Sequence, residues 1–100
     1  MRARYAAYAV GAVEFILAST DPSGPHFEPE GTAWRESVAR FCRETEFLGL
    51  EVLESGSAGD LGQVAFRVQL TQAGQDASFS ERSAFRRVEG AWLYHSGEAL

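Results

Sequence analysis

The sequence predicts an α+β domain in which two N-terminal helices pack against a curved antiparallel sheet of four strands. In the first half of the chain, apolar residues recur at spacings of three and four, which is typical of one helix face. After Gly49 the spacing changes to two, which is typical of strands. Helices followed by strands give an α+β domain. One hundred residues suit a single domain over residues 1–100.

The two helices are predicted at residues 2–20 and 32–47. In the first, Gly11 weakens the middle by about 1 kcal/mol relative to alanine, and Asp21-Pro22 ends the helix because proline disfavours helical geometry in the preceding residue. Residues 21–31 hold all three prolines and are predicted to be a loop. Thr32 can cap the second helix. The apolar face of the first helix is Tyr5, Tyr8, Ala12 and Phe15, and that of the second is Trp34, Val38, Phe41, Thr45 and Leu48.

Four strands are predicted after Gly49, at residues 50–54, 64–71, 76–88 and 91–97. The glycine- and serine-rich residues 55–62 are predicted to be a flexible connection, and Gly74 marks the next turn. Glu89-Gly90 is a two-residue hairpin turn of a kind that glycine favours.

This hairpin turn sets a register that sorts the side chains by face. The register pairs Val88 with Ala91, Arg87 with Trp92, Phe85 with Tyr94 and Ser83 with Ser96, and it suggests a cation–π contact between Arg87 and Trp92. The aromatic face should meet the helices, and the polar face should meet solvent or a partner, for example a second copy of the chain. The aromatic face is Phe79, Glu81, Ser83, Phe85, Trp92 and Tyr94, and the polar face is Ser80, Arg82, Ala84, Arg86, Leu93 and His95.

Composition argues against several classes of function. The net charge of −5 disfavours binding to phosphate backbones, so no nucleic-acid partner is expected. No stretch approaches the roughly 20 apolar residues of a membrane span, and no leader pattern is present, so a cytoplasmic location without membrane binding is expected. Cys42 is the only cysteine and is predicted to be a small buried hydrophobe. His26 has no second ligand at metal spacing, and neither a metal nor a cofactor is expected.

Three segments resemble the middle domain of the YchJ-type family. They are the start (MRARYAAYAVG, then Phe15-Ile16-Leu17 and Asp21-Pro22), the central FLGLEVL at residues 47–53, and the end (ERSAF at 81–85, then EGAWLY at 89–94). The central segment differs from the family pattern, which has tryptophan where Phe47 stands. The segments occur in the family's order and span nearly the whole chain.

The resemblance implies an NTF2-like fold, in which a strongly curved, cone-like sheet wraps around the helices. Pattern alone also permits a flatter two-layer sandwich. The family usually carries cysteine-rich SEC-C segments that are thought to hold zinc. These are absent from the 100 residues, so zinc binding does not transfer, and the family supplies no established reaction.

Glu81 is the residue that most needs an explanation, because a carboxylate on an aromatic strand face must be paired, hydrogen-bonded or solvated. One interpretation is an internal ion pair with Arg2 or Arg4 of the first helix. A second makes Glu81 the polar anchor of an apolar pocket, and a third places it on the surface through a wrong register. The candidate pocket is Glu81, Ser83, Tyr8, Phe15, Trp34, Phe66, Phe85, Trp92 and Tyr94.

Two functions follow from these interpretations. The first is a binding or interaction module without catalysis, whose cone is filled by its own side chains; the twelve aromatic residues favour this. The alternative is a small-molecule enzyme with Glu81 as acid or base. This would need an open cavity and a Glu81 carboxylate that no arginine holds.

Overall fold

A computed structural model describes residues 1–29 and 31–100, and it confirms the α+β prediction. Three helices precede five strands, which form one antiparallel sheet in the order β1-β2-β4-β5, with the short β3 paired to β2. The helices are α1 (Arg2–Val10), α2 (Val13–Ala18) and α3 (Thr32–Glu44); the strands are β1 (Thr45–Ala58), β2 (Leu61–Gln72), β3 (Gln75–Asp76), β4 (Phe79–Val88) and β5 (Ala91–Ala99).

The first predicted helix is two helices, because Gly11 ends α1. Gly11 has φ 73° and ψ 29°, the left-handed conformation that glycine adopts at a helix C-terminus. The amide of Ala12 then donates to the carbonyl of Ala7 at 2.8 Å, which satisfies a carbonyl at the end of α1. The prediction of one helix over residues 2–20 is therefore wrong at this point.

The second predicted helix ends three residues early, at Glu44. Thr45 and Leu48 were assigned to its apolar face, but both belong to β1, where Thr45 pairs with Gln72. The side chain of Gln72 also donates to the Thr45 hydroxyl at 3.0 Å. Pairing with β2 therefore takes precedence over the local helical pattern at this boundary.

Residues 55–62, predicted to be a flexible connection, are mostly strand. β1 runs to Ala58 and β2 begins at Leu61, so that Gly59 and Asp60 alone form the turn, with Gly59 at φ 61°. Cross-strand pairing with β2 orders the glycine- and serine-rich end of β1. The long third strand predicted at 76–88 is in turn broken into β3 and β4.

Two β-bulges determine which side chains of β1 face the helices. The pairing with β2 shifts between Phe47 and Gly49 and again between Val52 and Glu54. Leu48 and Leu53 are therefore extra residues, and both are more than half exposed. A bulge interrupts the alternation of a strand. This allows Phe47 and Leu50, which are three residues apart, to pack on the same apolar cluster.

The β4–β5 hairpin confirms most of the predicted register. Glu89 and Gly90 have φ values of 51° and 82°, and the predicted pairs up to Phe85–Tyr94 are present. The Arg87 guanidinium lies 5.1 Å from the centre of the Trp92 ring, as expected. The predicted pairing of Ser83 with Ser96 is wrong, because a bulge adds His95 to β5 and Ser83 pairs with Gly97.

The segment after α2 is fixed to the free edge of β5. The amide of Asp21 donates to the Tyr94 carbonyl at 2.7 Å, and the Tyr94 amide donates to the Ser19 carbonyl at 2.8 Å. The Asp21 side chain is fully buried and accepts two hydrogen bonds from Arg86, at 2.7 and 2.8 Å. Arg86, predicted to face solvent, therefore holds the start of the 21–31 loop against the sheet.

We expect Asp21→Asn to lower the melting temperature by about 5–10 °C, because it removes a bidentate ion pair whose carboxylate is buried, although its guanidinium is 41% exposed. The Arg86 guanidinium holds the pKa of the Asp21 carboxyl well below its usual range. The stabilisation is therefore fully present above about pH 4 and is lost as the pH falls below it. The difference in unfolding free energy between wild type and variant should be largest near neutral pH and should shrink in acid.

Asp60→Asn is the matched control, because the Asp60–Arg87 pair has the same chemistry but is mostly exposed. Its melting temperature should change by less than about 3 °C. Equal losses in the two variants, measured by circular dichroism, would contradict a special role for Asp21.

Candidate functional site

The two apolar clusters of the protein contribute to the lining of one cavity. One cluster joins the helices through Ala7, Ile16 and Val38, and the other lies on β2 at Phe66, Val68 and Leu70. Residues of both clusters line a cavity of about 380 Å³. The full lining is Met1, Arg4, Tyr5, Tyr8, Ile16, Thr20, His26, Trp34, Ser37, Val38, Phe41, Phe47, Leu50, Phe66, Val68, Leu70, Phe79, Glu81 and Tyr94.

Arg4 is the buried cation of the cavity wall, with only 8% of its surface exposed. It projects from α1 to the C-terminal end of α2. Its Nη1 donates to the Ser19 hydroxyl at 2.7 Å and to the Ile16 carbonyl at 3.2 Å, and it lies 3.4 Å from the Thr20 hydroxyl. Unpaired carbonyls and the negative end of the helix dipole favour a cation at this position. Arg4 therefore caps α2 from within the core.

The rest of the Arg4 guanidinium faces the cavity. All three of its hydrogen bonds use Nη1, and no carboxylate of residues 1–29 or 31–100 lies within ion-pair distance. No fully buried side-chain nitrogen or oxygen of the described residues lacks a partner, so Nε and Nη2 have access to open space. Burial lowers the pKa of Arg4, but arginine stays charged at neutral pH.

Glu81 lines the same cavity from β4, where it pairs with Phe66 of β2. One of its carboxylate oxygens accepts a hydrogen bond from the fully buried Ser83 hydroxyl at 2.6 Å. A Cβ at the neighbouring Gly97 would overlap this carboxylate, so the glycine leaves room for it. The predicted ion pair with Arg2 or Arg4 is wrong, because Arg4 is engaged with the end of α2 and Arg2 lies on the exposed side of α1.

Tyr94 lies close to both of these charges. Its ring centre is 4.7 Å from the Arg4 guanidinium carbon, a cation–π distance. Burial and the negative charge of Glu81 raise the pKa of Tyr94 to about 12. The hydroxyl therefore keeps its proton at neutral pH. His26, from the loop after α2, lies with its ring centre 5.7 Å from that of Tyr94 and adds a polar group to the lining.

Five of the nine predicted pocket residues line the cavity: Tyr8, Trp34, Phe66, Glu81 and Tyr94. The other four lie elsewhere. Ser83 is buried beside Glu81, and Phe85 is buried against Tyr94 with ring centres 5.9 Å apart. Phe15 and Trp92 are surface residues.

The sequence interpretation missed Arg4 and His26 as cavity residues. Arg4 was considered only as an ion-pair partner, and His26 only as a loop residue. Arg4 lies four residues before Tyr8 on the apolar face of α1, and this spacing was the available signal that it faces the cavity. No pattern near His26 marks its approach to Tyr94, which depends on how the loop is fixed to β5.

The aromatic side chains form the walls of the cavity and do not fill it. Phe41 and Phe47 pack edge to face, and Tyr5 and Tyr8 pack against them. The expectation of a cone filled by its own side chains is therefore wrong. Cys42, predicted to be a small buried hydrophobe, is half-buried beside the helix cluster.

The described part of the chain contains no helix long and apolar enough to cross a bilayer. Within the same part, no three histidine, cysteine, aspartate or glutamate side chains come together as metal ligands.

We expect Glu81→Gln to change the melting temperature by less than about 2 °C, because glutamine can still accept the hydrogen bond of Ser83. Arg4→Met keeps the apolar stem but removes the cap of α2, and it should lower the melting temperature by about 5 °C or more. Thermal unfolding of both variants checks this. Similarly large losses of melting temperature in both variants would contradict this expectation and would indicate an ion pair between Arg4 and Glu81.

Comparison with known proteins gives a consistent result. Residues 1–97 match the family model described as YchJ, middle NTF2-like domain. A UPF0225 protein of Pectobacterium carotovorum is 33% identical over 97% of the chain, and one of Chromobacterium violaceum is 36% identical over the same share. The chain spans 63% and 69% of the length of these two relatives.

Solved structures agree with this match. A SEC-C motif-containing protein of Rhodopseudomonas palustris is 35% identical, with a TM-score of 0.82 over the whole chain and 75% of that protein. A SEC-C motif-containing protein of Psychrobacter arcticus is 20% identical and has a TM-score of 0.75 over the whole chain and 58% of that protein. At that identity, the second likeness shows the fold alone.

Proposed function

The chain belongs to the family of YchJ middle NTF2-like domains. We propose that it is a binding domain for a small, mostly apolar molecule. The ligand would lie in the cavity between the helices and β2. The observation that carries the proposal is the cavity itself, which residues of both the helix cluster and the sheet cluster line. Homodimerisation through the outer sheet face stays a separate prediction.

The size of the cavity supports a ligand larger than water. Ligand pockets span roughly 300–1,000 Å³, and an engineered apolar cavity of ~150 Å³ binds benzene. At about 380 Å³, this cavity is more than twice as large as the engineered cavity that binds benzene. It therefore suits a molecule with an aromatic ring and a short side chain.

The chemistry of the lining supports the same ligand class. Most lining side chains are aliphatic or aromatic, and the Tyr94 side chain lies near both Arg4 and Glu81. An apolar cavity with a few convergent polar groups favours an apolar molecule and orients it by one polar end. Burial of the apolar part contributes about 25 cal/mol for each Å² removed from water.

Catalysis with Glu81 as general base is a second candidate. It is favoured by one observation, that no arginine of the described residues holds the Glu81 carboxylate. A general base must reach its proton directly or through one water. The free carboxylate oxygen of Glu81 meets this requirement only if the ligand carries an acidic proton near it.

Indole is a suitable first probe, and we expect it to bind the wild-type protein in ligand-observed NMR. Val38→Phe places a larger side chain in the lining and should weaken binding by about tenfold or more. Val10→Phe is the matched control, because Val10 is 79% exposed and outside the cavity. It should leave the affinity unchanged.

Absence of binding to the wild type up to the solubility limit of indole would contradict the proposal, as would equal binding by a folded Val38→Phe variant. If this variant does not fold, Leu50→Phe serves in its place, since Leu50 also lines the cavity. Chemical conversion of a bound molecule by the wild type, but not by Glu81→Gln, would favour the catalytic candidate.

A further inference from the structure

We propose that the polar end of the ligand is a neutral group with a hydrogen-bond acceptor and a donor side by side, as in a primary carboxamide. The inference rests on the proposed function of the cavity and adds the chemistry of the ligand. The carboxamide oxygen would accept from Arg4, and its NH₂ group would donate to Glu81. The observation behind it is that the two oppositely charged side chains line one cavity without pairing.

Arg4 supplies the donor half of this site. Its Nη1 is used by the end of α2, but Nε and Nη2 have no partner among the described residues. Both nitrogens are open to the cavity, because no fully buried side-chain nitrogen of the described residues lacks a partner. An acceptor on a ligand in the cavity can therefore reach them, and a hydrogen bond from a charged donor is stronger than one from a neutral donor.

Glu81 supplies the acceptor half. Ser83 donates to one carboxylate oxygen, and a carboxylate can accept about four hydrogen bonds. The carboxylate itself lies against Gly97, where a Cβ would overlap it, and it lines the cavity, so acceptor positions that Ser83 does not use can meet a ligand. Glu81 therefore selects a ligand group that carries N–H or O–H.

The charges of the site favour a neutral ligand group over a charged one. Arg4 and Glu81 together have no net charge. A ligand carboxylate would be attracted by Arg4 but repelled by Glu81, and a ligand ammonium would meet the opposite problem. A zwitterion would satisfy both, but moving two full charges from water into a mostly apolar cavity is far less favourable than moving an amide.

Tyr94 keeps the two halves of the site in place. Its ring packs against the Arg4 guanidinium, and its backbone is fixed on both sides by Ser19 and Asp21. Its hydroxyl stays protonated at neutral pH because its pKa is raised to about 12. It therefore adds a neutral polar group close to the two charges and does not change the charge balance of the cavity.

Four compounds with one skeleton test the inference: hydrocinnamide, hydrocinnamate, phenylpropylamine and propylbenzene. Their affinities for the wild-type protein can be measured by ligand-observed NMR at pH 7. We expect hydrocinnamide to bind about tenfold or more tightly than either hydrocinnamate or phenylpropylamine. In Glu81→Gln, hydrocinnamate should gain affinity by about tenfold because the repulsive charge is gone, while hydrocinnamide should change little.

Glu98→Gln is the matched control, because Glu98 is exposed on β5 and outside the cavity lining. It should leave all four affinities unchanged. If propylbenzene binds but hydrocinnamide is no tighter than hydrocinnamate, the inference is overturned and the binding cavity stands. If none of the four compounds binds, both the inference and the proposed function are overturned. A gain for hydrocinnamate in Glu98→Gln as large as in Glu81→Gln would also overturn it.

Discussion

The structure depends on the buried guanidinium of Arg4. This group joins α1 to the end of α2 through Ser19 and the Ile16 carbonyl, and it packs on the Tyr94 ring of β5. Helices and sheet are thus held by one cation that has no carboxylate partner among the described residues. A charge can stay buried in this way because it is hydrogen-bonded and lies at the negative end of a helix. The same arrangement leaves one side of the guanidinium facing the cavity.

The cavity lies between the helices and a sheet that is joined to them at one edge. Asp21 and Arg86 fix the segment after α2 to β5, and the bulges at Leu48 and Leu53 change the alternation of β1. Bulges increase the local bend and twist of a strand. A curved sheet fixed at one edge can surround helices without contacting them along its whole length, which leaves the space that the lining aromatics enclose.

Local patterns in the sequence predicted the elements of the fold, and long-range contacts decided their ends. The hairpin at Glu89-Gly90 was predicted because its turn chemistry is local. The end of β1 at Ala58 was missed because pairing with β2 orders residues whose composition favours a loop. Bulges such as the one at His95 add a single residue without a composition signal, so the pairing of Ser83 could not be predicted.

The candidate site was also predicted only in part, because local patterns give the face of a residue but not its long-range contacts. Glu81 and Tyr94 were found because the hairpin register places them on the helix-facing side. Trp92 is on the same face, but it lies at the far end of the hairpin against Gly62 and Arg87, beyond the reach of the helices. Alternation gives the face of a residue but not its distance from the helices. Arg4 could be placed on the inner face of α1, but its partners at the end of α2 depend on the break at Gly11.

Methyl NMR during a titration with indole tests whether a ligand binds in the cavity between the helices and the sheet. Leu50, Val68 and Leu70 line the cavity, whereas Leu48 and Leu53 are exposed on the bulges of β1. We predict that the methyl signals of the three lining residues shift in a saturable way and that those of Leu48 and Leu53 do not. Saturable shifts confined to Leu48 and Leu53, or no shifts at all, would contradict binding in the cavity.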